Sequence, residues 1–260
     1  LWKFHKDSEP SWDASFGAGR PGWHIECSAM SIAELGSQVD IHAGGVDLLF
    51  PHHENEIAQS EAATGKSPFV RFWIEGEHLL VDGGKMAKSM GNVYTLADVV
   101  KRGIDPLALR YLFLTAHYRS KMNFTWGSLE AASNALESIR YQVSGIKETE
   151  SGGKDEFLNR FKEAVNNDLD LPRAVAILHE ALKTKDKLAI LEMDKVLGLG
   201  LADVKKEELP NGVKELILER EKLRGERKFE EADKIREQLK NMGIEIEDEK
   251  GGTAWKVNKK

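Results

Sequence analysis

Residues Gln38 to Ala62 read QVDIHAGGVDLLFPHHENEIAQSEA, and the fold turns on how this stretch is divided. QVDIHAGG is a short strand that runs into a glycine pair. FPHHENEIAQSE is a helix, with Pro51 suited to its first helical position and Glu61 near its end. Strand, glycine turn and helix in succession predict an α/β arrangement. Ligands of open α/β sheets sit at the carboxyl ends of the strands, where the glycine pair lies.

Outward from this unit the same alternation holds over residues 1–104. FVRFWIEGEHLLVDGG reads as two strands around a turn, and TLADVVKRG as a helix with Thr95 as N-cap and Gly103 as its stop. The opening LWKFHKDSEPSWDASFG carries aromatics and turn formers but no helix or strand start. The chain therefore reads as the later part of a longer protein. The character changes after Asp105, where DPLALRYLFLTAHY opens with an Asp cap and a Pro at the first helical position. SLEAASNALESIRYQV, EFLNRFKEAVNN, LPRAVAILHEALK and KLAILEMDKVLGL follow, each with apolar residues three and four apart. ETESGGKDE is a polar linker among them. These residues, 105–200, predict a helical bundle. Residues 201–260 are highly charged and predict a small third domain. It has two helices, the second stopping at Gly243, and a strand-like tail, IEIEDEKGGTAWKV.

Composition bounds the class. The 260 residues are 41% hydrophobic and 31% charged, with a net charge of −6. This suits a soluble protein, with no membrane span and no electrostatic signature of nucleic-acid binding overall. A single cysteine rules out an internal disulfide and points to a reducing compartment.

Two constellations carry chemistry. His52 and Glu56 are four apart on one helix face, and Cys27, in GRPGWHIECSAM, adds the lone thiol. The set reads either as a zinc site or as a helix-surface pair beside a small buried hydrophobe. VDGGKMAKSMGN places two lysines among glycines after a strand, which suits a polyphosphate, although the spacing is not that of the common phosphate loop. An exposed basic hairpin is the plain alternative.

GRPGWHIECSAMS, HAGGVDLLFPHHENEIAQSEA and KMAKSMGN, in this order, resemble the second half of the cysteinyl-tRNA synthetases, class I aminoacyl-tRNA synthetases. DPLALRYLFL is similar to the helix that opens their anticodon-side bundle. RKFEEADKIREQLKNMGIEIEDEKGGTAWKV resembles their C-terminal end. The resemblance implies the C-terminal half of a Rossmann-type nucleotide-binding catalytic domain, then an all-α bundle and a small anticodon-binding domain. It also implies a cytoplasmic monomer that uses cysteine, ATP with magnesium, and tRNA-Cys, and that holds one zinc.

In that family two cysteines, a histidine and a glutamate bind the zinc, which takes the thiolate of substrate cysteine. Cys27, His52 and Glu56 match three of these ligands, with His53 beside them. The other cysteine and the family's HIGH-type ATP signature are expected before residue 1. Zinc would act as a specificity device, because a thiolate is a far better ligand than a hydroxyl. A site that depends on one bond can discriminate by roughly 10⁴-fold without editing. Trp23 and His24 match residues lining the amino-acid pocket. Gly44, Gly45 and Asp47 match the stretch that receives adenosine. Lys85 and Lys88 match the KMSKS signature, with Ala87 in place of its central serine, and would stabilise charge on the triphosphate as cysteinyl-adenylate forms. Arg224, Arg227, Lys228, Arg236 and Trp255 are candidate RNA contacts.

Two rivals share these motifs. One is a cysteine–amino-sugar ligase of thiol biosynthesis, which needs no long anticodon-reading end. The other is a non-catalytic tRNA-binding fragment, because half of the nucleotide fold is expected to lie outside this chain. The chain alone is accordingly expected to be inactive and to hold zinc weakly or not at all, with strand edges and apolar surface exposed.

Overall fold

The computed structural model describes residues 2–146, 154–203, 212–249 and 252–257. The chain divides into two compact units, Leu1–Val204 and Lys205–Lys260.

The first unit opens with β1 (Trp2–Phe4) antiparallel to β2 (Gly19–Pro21). No strand signal is legible here, because three residues are too few for alternation to register. The pairing relies on close approach instead: a Cβ on Gly19 would lie 2.3 Å from the Lys3 carbonyl oxygen.

Next come α1 (Trp23–Leu35), β3 (Val39–Gly45), α2 (Glu54–Thr64) and β4 (Val70–Gly76). β3 and β4 are parallel, with His42 opposite Trp73 and Gly44 opposite Glu75. The α/β reading holds here as a strand–helix–strand unit around Val39, Phe69 and Val70. Its outer face is bare: the cross-strand partners Ile41 and Phe72 are 60% and 66% exposed. α2 proper is Glu54–Thr64, and helical backbone leads into it from Pro51 as a wider turn within Leu49–His53. The break lies at Phe50, which is extended, at φ −135° and ψ 130°, because a residue preceding proline is pushed out of the helical region. At its other end α2 runs past Glu61 to Thr64 and stops at Gly65, which takes the left-handed conformation (φ 66°).

β5 (Leu79–Val81) does not pair with β4. It lies between β6 (Gly84–Lys85) and β7 (Met122–Phe124) in a separate sheet. The β5–β6 hairpin turns through Asp82 and Gly83, both at positive φ (50° and 78°), which suits the Asp-Gly pair.

Among the described residues of this unit, six helices follow the lysine loop: α3 (Leu96–Lys101), α4 (Pro106–Leu114), α5 (Trp126–Gly145), α6 (Lys154–Asn166), α7 (Leu171–Lys183) and α8 (Lys187–Leu197). Thr95 and Asp98 cap α3 reciprocally, and Gly103 follows its end at φ 74°. Asp105 caps α4 through the Leu107 amide. The helical periodicity is realised most clearly on α7. Its buried Ala174, Val175, Ile177, Leu178, Ala181 and Leu182 form one stripe in the main core. That core also takes Val81 of β5 and Phe124 of β7, so the lysine hairpin stands on the bundle. The linker ETESGGKDE lies largely outside the described residues.

The second unit pairs α9 (Val213–Gly225) and α10 (Phe229–Asn241) with an antiparallel hairpin, β8 (Ile244–Glu249) and β9 (Gly252–Val257). Val213, Ile217, Ile235, Leu239, Ile244 and Ile246 make its core. Among the described residues no helix is long and apolar enough to cross a membrane.

Candidate metal centre

The first turns of α1 and α2 face each other. Trp23, His24 and Cys27 project from α1, and His52 and Glu56 come from the approach to α2 and its first turn. Ser28 Oγ donates to the Glu56 carbonyl at 3.5 Å and ties the two helices. Cys27, His52 and Glu56 bring one donor atom each to within 4.8 Å of one another. The sequence separates Cys27 from His52 by 25 residues, so only the fold brings the thiol to the imidazole and carboxylate.

The residues fit a metal ion. Glu56 is 0% exposed, and neither carboxylate oxygen has a hydrogen-bond partner. His52 Nε2 is 2.6 Å from Glu56 Oε1, so the two point at a common place without hydrogen-bond geometry. Burial raises the Glu56 carboxyl above its usual range, although His53 opposes this. Burial also raises the Cys27 thiol, with the Glu56 and Glu26 carboxylates adding to the effect. His52 is lowered by burial and by the neighbouring His24, His53 and His42, which favours the neutral, ligating imidazole. A sealed carboxylate whose nearest neighbours are imidazoles is costly, and a bound cation would offset that cost.

The flanking groups orient this set. His24 Nδ1 meets His52 Nδ1 at 2.8 Å, and the Trp23 ring lies 4.5 Å from the His52 ring while remaining 57% exposed. Two groups that sequence reasoning passed over complete the floor: His42 and Glu75. His42 Nε2 is 3.7 Å from Glu56 Oε2. His53, adjacent to His52, turns away from it to meet Glu75 Oε1 at 2.8 Å through Nδ1. Trp73 packs against both His42 and His53, with ring centroids 4.7 Å apart in each pair. The signal for His42 was present, since it lies two residues before Gly44 on the same strand face. Glu75 carried none, because only the β3–β4 register sets it opposite Gly44.

The glycine pair serves this packing. A Cβ on Gly44 would come within 2.6 Å of His53 Cε1, and one on Gly45 within 2.5 Å of Asp47 Oδ1. Gly44 makes room for an imidazole, and Gly45 lets the exposed Asp47 carboxylate fold back over the turn.

Lys85 and Lys88 stand on the other sheet and its loop, both exposed. Asn92 braces that loop: its Oδ1 accepts from the Ala87 amide at 2.9 Å and its Nδ2 donates to the Lys85 carbonyl at 3.0 Å. In the second unit Arg224, Arg227, Lys228 and Arg236 are exposed, and Lys228 pairs with Glu226 at 2.8 Å. Trp255 lies on β9, in register with Ile246.

Residues 1–134 match the sequence profile of the tRNA synthetases class I (C) catalytic domain. The chain belongs to this synthetase family. Every residue of the metal centre and both loop lysines fall inside the matched synthetase region. Residues 206–255 match a second profile, the cysteinyl-tRNA ligase anticodon binding domain. Among similar curated proteins is a cysteine–tRNA ligase of Leptospira interrogans serovar Lai, 42% identical over 285 aligned residues, covering 98% of this chain and 60% of that protein. Another, from Legionella pneumophila subsp. pneumophila, is 45% identical over 276 residues, covering 98% and 59%. This synthetase chain thus spans about 60% of the length of those relatives. A solved ternary complex of Agrobacterium radiobacter K84 agnB2 LeuRS, tRNA and LeuAMS shares the fold, at TM-score 0.50 and 14% identity. The match covers 74% of this chain and 32% of that one.

Proposed function

We propose that this chain is the larger part of a cysteine–tRNA ligase, which activates cysteine with ATP and transfers it to tRNA-Cys. The observation that carries the reading is the convergence of a thiol, an imidazole and a sealed carboxylate, Cys27, His52 and Glu56, on one point. When bound there, zinc supplies a soft coordination position that a thiolate fills well and a hydroxyl fills poorly. Cys27, His52 and Glu56 hold the ion. Trp23 and His24 wall the amino-acid side and keep His52 aimed.

In this reading residues 1–104 are the C-terminal half of a Rossmann-type nucleotide fold, residues 105–200 the anticodon-side bundle, and residues 201–260 the anticodon-reading domain. Gly44, Gly45 and Asp47 receive adenosine at the end of β3. Lys85 and Lys88 meet the triphosphate with its magnesium, and Asn92 fixes the loop that carries them. Arg224, Arg227, Lys228, Arg236 and Trp255 contact RNA in this reading. The likeness of residues 206–255 to an anticodon binding domain favours tRNA over an amino-sugar as acceptor. With three protein donors and part of the relatives' length, the chain alone holds zinc weakly and is inactive.

The test is cysteine-dependent exchange of pyrophosphate into ATP. A chimera joins this chain to the part of the Legionella relative that it does not match. Exchange with cysteine, followed by charging of tRNA-Cys, is the expected result. Acylation of an amino-sugar in place of tRNA, or exchange without cysteine, contradicts it. Exchange by the unjoined chain contradicts its inactivity.

A further inference from the structure

Glu56 presents two oxygens to two different sets of donors. Oε1 faces His52, while Oε2 is fully enclosed, has no hydrogen-bond partner and lies 3.7 Å from His42 Nε2. His42, His53 and Glu56 also bring one donor atom each to within 4.8 Å of one another. This second set contains no sulfur. His53 is prepared as a ligand in a recognisable way: its Nδ1 meets a carboxylate, Glu75 Oε1, at 2.8 Å. With the Nδ1 proton held there, Nε2 keeps its lone pair, which is the arrangement of metal-ligating histidines backed by a carboxylate. Gly44 leaves that Nε2 open, since a Cβ there would lie 2.8 Å from it. Trp73 packs on both imidazoles and fixes their planes. The His42 side chain, 18% exposed, gives the set an opening to solvent.

We infer that His42, His53 and Glu56 form a second, sulfur-free site for a borderline divalent ion such as zinc, cobalt or nickel. Imidazole and carboxylate donors suit these ions. Glu56 is the one carboxylate in either set, and two dications a carboxylate's width apart with so little negative charge around them repel each other, so the chain holds one ion in either of two positions. Cys27 decides between them: its thiolate draws the ion to the His52 side, and without it the ion rests on the His42 side. This inference stands on the geometry of the histidines and is independent of the ligase reading.

Cobalt(II) titration of the untagged 260-residue chain tests it, with folding checked by circular dichroism. At cobalt concentrations high enough to saturate its weak site, the unaltered chain is expected to bind one equivalent and to show a thiolate-to-cobalt charge-transfer band. Cys27→Ser is expected to bind one equivalent still, without that band. Adding His42→Gln to Cys27→Ser is expected to weaken cobalt binding by about 10-fold or more. Should the double variant misfold, cobalt-induced shifts of the His42 and His53 ring protons in Cys27→Ser carry the same information. Loss of cobalt binding in Cys27→Ser, indifference to His42→Gln, ring protons that do not shift, or two equivalents in the unaltered chain would each overturn the inference. The thiolate band reports the first set and the thiol-free variant reports the second, so failure of one is distinguishable from failure of the other.

Discussion

His52 Nε2 and Glu56 Oε1 lie 2.6 Å apart, one helical turn from each other, but not in hydrogen-bond alignment. Two donors that close together in a sealed place are arranged for a third body. Glu56→Gln should therefore have opposite effects with and without metal. Cobalt or zinc affinity should fall by more than about 10- to 100-fold, the range for loss of a mere outer-shell partner, because Glu56 is itself a ligand. The metal-free chain should become more stable, by about 1 kcal/mol, because a fully buried charge faced by imidazoles has been neutralised. Metal titration and thermal unfolding of the same two samples give both numbers. A metal-free variant less stable than the parent would count against the account.

Gly44→Ala should disturb the floor of the site without touching any ligand of the first set. Its Cβ would meet His53 Cε1 at 2.6 Å. Relief requires the imidazole to leave Glu75, and overpacking of this kind costs about 1–3 kcal/mol. Denaturant unfolding measures the loss. Gly65→Ala serves as comparison, since a Cβ there meets nothing within 4 Å and only the backbone conformation is strained.

The junction of α4 with the bundle should show a defined pH dependence. Asp105 is pushed up by its burial, but the hydrogen bond from Arg140 (2.6 Å) and the Leu107 amide more than offset this and hold it below the ordinary carboxylate value. A carboxylate lowered in the folded state adds stability above its unfolded value, and that stability is lost as pH falls through the lowered one. Asp105→Asn keeps a cap for α4 and removes the charge. The difference in stability between parent and variant should thus be constant near neutrality and vanish in acid. Urea unfolding at several pH values measures it, and a difference that grows toward low pH has the wrong sign.

Leu178 is fully buried at the centre of the α7 stripe. Leu178→Ala should cost about 2–5 kcal/mol. Metal binding at α1 and α2 should be little changed under conditions where the variant stays folded, because Leu178 packs in the main core, to which none of the three ligands belongs. A large change in metal affinity would show coupling that this separation does not account for.

Helices with capping residues and a clear apolar period were legible in the sequence, as at Asp105-Pro106 and along α7. Both signals are local, and the residues that produce them lie within a few turns of one another. β1 was not legible, because its partner β2 is fifteen residues away and the pair depends on a bare glycine. The start of the helix was legible at Pro51, since Phe50 is extended before it and the backbone is helical from there; what the sequence did not show is that its first residues form a wider turn ahead of α2 proper. At the site, Cys27, His52 and Glu56 were visible as ligand types, and spacing alone left them open between a metal and a surface pair. His42 and Glu75 were not found, because their roles come from strand register and from the side toward which His53 turns.

The central claim is that an ion held by Cys27, His52 and Glu56 tells sulfur from oxygen. Its most direct measurement is the absorption of the cobalt(II)-loaded chain during titration with cysteine and, separately, with serine. A second increment of thiolate-to-cobalt intensity with cysteine, and none with serine at the same concentrations, is the predicted result. An equal response to the two amino acids, or a cobalt spectrum with no thiolate band before either is added, would contradict it.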